Sequence, residues 1–188
     1  MRYAAIRMGW AALLSAVVVA PLHATTSIHV DTRELVESSS DIVVGTIEST
    51  FCRWDETHTR IVTEVSVRIS RSLKGESQRL TLVQLGGDLD GMRYTIPGSP
   101  AFRPGEEALL FVWRDRQGRA QVNALAQGKF DIRQDPATGE KLVQRGLPGL
   151  AIHDARTLGL IPTGRVAPRI TLGGMLKEVE RVLKEEGR

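Results

Sequence analysis

The chain has 188 residues, 41% hydrophobic and 5% aromatic, with 25 basic against 22 acidic side chains. Two of the basic residues, Arg2 and Arg7, fall in a leader segment, so the remainder is close to neutral; without clustered Lys and Arg it has little attraction for a phosphate backbone, which excludes nucleic acid as a partner. Its one cysteine, Cys52, excludes an internal disulfide framework, and a domain of this length needs none, because it buries roughly two thirds of the surface its unfolded chain exposes.

Arg2 and Arg7 flank the start of an apolar run from Met8 to Ala20, followed by Pro21-Leu22-His23-Ala24 and the polar Thr25-Thr26-Ser27. That order of basic, apolar and small-residue parts is the pattern of a secretory signal peptide over residues 1–24, with cleavage after Ala24. The run is shorter than the roughly 20 residues that span a bilayer, so no stable membrane insertion is expected once it is cut. The chain is therefore expected to be exported, to the periplasm or the extracellular medium.

Asp31 to Glu37 has the pattern of a short helix, with Asp31 as N-cap and Glu34 closing a capping box. Ile42 to Ile47 is a β-branched run that crowds a helix and suits a core strand. After a polar loop from Trp54 to His58, Ile61, Thr63, Val65, Val67 and Ile69 alternate with Arg60, Glu64, Ser66, Arg68 and Ser70, which specifies a strand with one dry and one wet face. Leu73-Lys74-Gly75-Glu76 is a turn, Leu80 to Leu85 the next strand, and Gly86-Gly87 supplies the backbone freedom of a sharp bend. Met92 to Ile96 is a short strand bounded by the turns at Pro97-Gly98-Ser99-Pro100 and Arg103-Pro104-Gly105-Glu106.

Glu107 to Trp113 is apolar on both faces, which places it in the middle of a sheet. Beyond the hairpin loop Arg114 to Arg119, shorter strands are expected at Ala120–Ala126, Lys129–Arg133 and Leu142–Arg145. Residues 146–170 have no sustained period and predict an extended surface connection. Leu172, Met175, Leu176, Val179, Val182 and Leu183 then make one stripe of an amphipathic helix over 171–186, with Thr171 as N-cap and Gly187 as stop. The expected organisation is thus a leader (1–24), a mainly β barrel or sandwich (25–145), the connection, and a helix packed on the sheet.

Reactive chemistry finds little support. No Gly-x-Ser-x-Gly elbow presents a serine, and Cys52 and His58 flank a loop without a third orienting group. His29, His58 and His153 are widely spaced and form no helical i, i+4 pair. Asp88 and Asp90 beside glycines resemble the start of a calcium loop, but the closing Glu is missing, so a solvated hairpin tip is expected. No catalytic, cofactor-binding or metal-ligating residue is therefore assigned. Recognition on a rigid barrel is mounted on loops, which makes Trp54 and His58 in one loop, and Asp88, Asp90, Tyr94 and Phe102 in the long segment to Pro104, the expected contact residues.

Several of these segments, in order, carry a resemblance: Ser40-Asp41-Ile42-Val43-Val44-Gly45, the alternating strand to Ile69, Leu73-Lys74-Gly75, Gly86-Gly87, and Phe102 through Pro104-Gly105-Glu106 into Leu109-Leu110-Phe111. Over Glu34 to about Trp113 the chain resembles the netrin-like module shared with tissue inhibitors of metalloproteinases. It looks still more like a group of uncharacterised exported bacterial proteins with the same Leu-Lys-Gly turn, Pro-Gly-x-Pro loop and Ala126-Gln127-Gly128-Lys129-Phe130 segment. The resemblance implies an OB-like five-stranded barrel with additional short strands, a short N-terminal helix and a C-terminal amphipathic helix. It does not carry over zinc-chelating inhibition, because this chain has no cysteine near Thr25. The function expected is a non-enzymatic binding module for another protein, then a regulator or inhibitor of a secreted metalloprotease, and third a periplasmic hydrolase.

Overall fold

A computed structural model of the chain describes residues 25–75, 78–147, 150–162 and 169–187; the expected leader lies outside them. The first elements are β1 (Thr25–Ile28), α1 (Thr32–Ser38) and the long strands β2 (Asp41–Trp54) and β3 (Ile61–Lys74). They are followed by β4 (Arg79–Leu85), the hairpin β5 (Gly87–Leu89) and β6 (Met92–Tyr94), then β7 (Glu107–Arg114) and β8 (Ala120–Val122). β9 (Lys129–Gln134), β10 (Lys141–Arg145), β11 (Leu150–His153), β12 (Ile170–Thr171) and α2 (Leu172–Glu186) complete the order. Asp31 caps α1 by accepting the Glu34 N–H at 2.9 Å, and Thr171 caps α2 by accepting the Gly174 N–H at 3.0 Å, so both starts follow from side chains that satisfy orphan helical donors.

β2 pairs antiparallel with β3, β3 with β4, and β7 with β2, while β8 pairs antiparallel with β7 and parallel with β4 through Leu82 and Ala120. The ring closes in the order first, second, third, fifth, fourth strand, which is an OB-like barrel of mixed pairing. Register shifts in β2 at Ile42/Val43, Val44/Gly45 and Ile47/Ser49 supply the extra bend that closure demands. The second edge of β7 is divided: β9 takes Glu107 to Leu110 and β8 takes Val112 to Arg114. β9, β10 and β12 continue the sheet outside the barrel.

Two cores result, and β2 and β7 belong to both. Val43, Ile47, Leu110 and Val112 point into the barrel with Val65, Val67, Leu80 and Leu82. Their neighbours Ile42, Val44, Leu109 and Phe111 point to the opposite face, where Leu35 and Val36 of α1 and Met175, Val179 and Val182 of α2 cover them. A strand buried on both faces has no polar alternation, which is why β7 is continuously apolar.

The segment after β8 differs from the expected strand. β8 stops at Val122 because Ala124 and Leu125 adopt φ of 51° and 56° and lead into a 3₁₀ turn, Leu125–Gly128. That turn lets the chain pass from β8 to β9 along one edge of β7. Gln127, fully buried in it, accepts the Val30 N–H at 3.0 Å and donates to the Ile28 carbonyl at 2.9 Å, fixing β1 to the barrel. The 146–170 connection is not wholly irregular: β11 within it pairs in parallel with β1 and buries Ile152.

Candidate functional site

The β2–β3 ribbon is longer than the barrel it closes. Pairing of β7 with β2 ends at Thr46, and Gly105 and Glu106 bond the backbone of Ile47, whereas β2 and β3 remain paired out to Trp54 and Ile61. Along the inward-facing register the aliphatic residues give way at this overhang to Thr50, Cys52, Thr63 and Gln84. Cys52, Thr63 and Gln84 are aligned across β2, β3 and β4. The Thr63 hydroxyl donates to the Gly86 carbonyl at 2.6 Å and lies 3.4 Å from Cys52 Sγ. Gln84 is 8% exposed, and its buried amide nitrogen has no hydrogen-bond partner among the described residues, a state that costs about 1–3 kcal/mol.

A roof crosses this row. Gly86 and Gly87 have φ of 101° and 146°, and a Cβ on Gly87 would stand 2.7 Å from Cys52 Sγ and 2.7 Å from Thr63 Oγ1. Only glycine permits both the backbone turn and the close approach, so the β5–β6 hairpin folds back over the barrel mouth. Arg93 clamps Asp88 through two bonds of 2.8 and 2.9 Å, and these hydrogen bonds hold the Asp88 carboxyl below its ordinary pKa. The return segment brings Phe102 against the barrel core, with Lys129 Nζ 5.3 Å from the centre of its ring. Lys129 is buried between Glu106, at 3.0 Å, and Asp131.

Floor and roof enclose a groove of about 420 Å³. On the far side of the hairpin a second recess of about 490 Å³ is lined by Trp54, Ile61, Met92 and Tyr94; Tyr94 lines both.

Of the expected contact residues, Asp88, Tyr94 and Phe102 line the groove, Trp54 lines the recess, and Asp90 stands at the hairpin tip with φ of 51°. His58 is apart from them, in the β2–β3 turn with φ of 54°. The residues that form the polar floor, above all Gln84, were not among those expected, although the Leu80, Leu82, Gln84 register marks a polar side chain in a dry position. The groove offers hydroxyls, an amide, a thiol and the paired Asp88 and Arg93, and among the described residues its lining contains no imidazole. Among the described residues no three His, Cys, Asp or Glu side chains gather to hold a metal ion, and no helix is long and apolar enough to cross a membrane. His29 and His153 meet through backbone at the end of the β1–β11 pair. Compared with known proteins, the chain matches no protein-family model and no curated protein.

Proposed function

We propose that this chain is an exported, non-enzymatic binding module whose ligand seats in the groove at the barrel mouth. The observation that carries this reading is the buried, unpartnered Gln84 amide in the floor of a cavity built by residues that leave the aliphatic pattern of their strands. A side chain kept for stability would be Leu or Met at that register, since an unmet amide weakens the fold. A side chain kept for recognition finds its acceptor when the ligand arrives. The leader pattern at residues 1–24 supports export, and Tyr94 and Phe102 give the polar floor an apolar surround of the kind ligand clefts use.

The two roles of Gln84 predict opposite outcomes for Gln84→Met. In a recognition role the variant is as stable as the parent, or more stable by about 1 kcal/mol, and loses capture of heptapeptides selected from a random displayed library on the parent protein. A fall in the urea midpoint together with undiminished capture would reject the reading.

A further inference from the structure

Beside the groove, β2 leaves a short stretch of one edge unpaired among the described residues. The Asp55 N–H bonds the Arg60 carbonyl at 2.8 Å at the end of the ribbon, and in an antiparallel ladder the bonding residues alternate from there. Arg53, Phe51 and Ser49 therefore turn their N–H and C=O groups to β3, and Thr50, Cys52 and Trp54 turn theirs the other way. On that side β7 has already ended. The Trp54 carbonyl is taken by Arg53 Nη1 at 2.9 Å, which leaves the N–H and C=O groups of both Thr50 and Cys52 without a partner among the described residues.

Exposed strand edges are normally blunted by charge, proline or a bulge. This one is blunted only at its ends. The bulge and Glu48, which accepts from Arg68 at 3.1 Å, close one end, and Arg53, bonded to Glu64 at 2.7 Å, closes the other. Between them Ser49-Thr50-Phe51-Cys52 is uncharged, and Phe51 is 64% exposed on the outer face. The same two residues whose backbone is unpaired send their side chains into the groove.

We infer that an extended, uncharged segment of another protein adds to β2 as an extra strand along Ser49–Cys52. Its backbone pairs with Thr50 and Cys52, its alternate side chains enter the groove toward Gln84, and an apolar residue on its other face covers Phe51. Charge decides the class of segment, because the flanking Glu48 and Arg53 and the groove-lining Asp88 and Arg93 are all already paired within the protein, so a charged strand would have to break one of these pairs to find a counter-ion. A second copy of this chain fits less well. Its β2 would offer Thr50 and Cys52 again, too short to fill about 420 Å³, over four residues a side where a standard interface uses about 20–30.

This inference rests on the groove being the binding site, and the test separates the two. Heptapeptides selected on the parent protein are resynthesised with a single N-methyl group at each position in turn, and binding is compared for the parent, Gln84→Met and Thr50→Pro. Thr50→Pro removes the outward N–H, which an edge tolerates, together with the Thr50 hydroxyl in the groove, and Thr50→Val, which removes the hydroxyl alone and should keep binding, separates the two. The expected result is a loss of about tenfold or more at every second N-methyl position and in Thr50→Pro, the size of one or two backbone hydrogen bonds. Slowed amide exchange at Thr50 and Cys52 in the peptide complex accompanies it. Should Thr50→Pro fail to fold, the N-methyl scan and the exchange data on the parent protein decide alone. Binding that Gln84→Met abolishes but that is indifferent to N-methylation and to Thr50→Pro would overturn the added strand and leave the groove reading standing. Binding indifferent to Gln84→Met as well would remove both, and a dimer in sedimentation that Thr50→Pro dissociates would make a second copy the occupant and overturn the inference.

Discussion

His29 and Arg145 show what a single buried cation does to its neighbourhood. Arg145 is 6% exposed, lies over the Phe130 ring at 4.7 Å and has no hydrogen-bond partner at Nε among the described residues; burial pushes its pKa down to about 10, so it remains charged at neutral pH. Burial and then the charge of Arg145 hold the His29 imidazole below its ordinary 6.5, against the weaker pull of Asp31, Glu34 and Asp154. The unfolded chain therefore takes up this proton at a higher pH than the folded one. Stability from neutral His29 is complete above pH 6.5 and is lost as the pH falls through the lowered folded value. Since the His29 N–H bonds the His153 carbonyl at 2.8 Å beside the β1–β11 pair, that pair should loosen first. Protection factors of the Thr25–Ile28 amides are expected to drop as the pH falls below 6.5, and His29→Gln should flatten the drop. An unchanged slope in the variant would place the acid sensitivity elsewhere.

At the scale of elements, α2 was legible in the sequence but its burial was not uniform. Periodicity puts Met175, Val179 and Leu183 on one stripe, yet Met175 and Val179 are buried against β2, β7 and β10 whereas Leu183 is only partly covered near the helix end. Met175→Ala should cost about 2–5 kcal/mol and Leu183→Ala clearly less, read from denaturation midpoints; equal costs would mean that the helix packs along its whole stripe. Strand existence was similarly plain, because alternation at Ile61 to Ile69 and double-sided apolarity at Glu107 to Trp113 are local signals of which faces are buried. The site was half legible. Glycines at 86 and 87 announced a bend, and the structure puts Asp88 and Tyr94 in the two strands of the hairpin that follows it and Phe102 in its return segment. What the bend covers depends on the length by which β2 and β3 outrun β7, a long-range pairing with no local mark, and so neither the polar floor at Thr63 and Gln84 nor the free edge at Thr50 was foreseen. The 3₁₀ turn after Val122 escaped for another reason: Ala124 and Leu125 hold left-handed backbone without the Gly or Asn that usually advertises it.

For the molecule as a whole, the sharing of β2 and β7 couples the barrel to the helical layer. Ile42 cannot leave α1 and α2 without disturbing Val43 in the barrel, since both ride on one backbone that bonds β3 on one side and β7 on the other. Among the described residues the ion pairs that cross from β3 to α2, Arg71 to Glu180 and the half-buried Lys74 to Glu186 at 3.6 Å, lie at the rim and are each worth little in water. The coupling is therefore carried by packing, and it predicts one cooperative transition. Leu82 is fully buried in the barrel core and touches no helix layer residue of the other core, so Leu82→Ala should cost about 2–5 kcal/mol and lower the melting of both layers together. Tryptophan fluorescence reports the barrel through Trp54 and Trp113, and helical ellipticity reports α1 and α2. In the parent and in the variant the two curves should superimpose at every urea concentration, as two-state unfolding requires. If Leu82→Ala shifted the fluorescence transition and left the helical one in place, the shared strands would not transmit, and the barrel and the sheet-and-helix layer would be separate folding units.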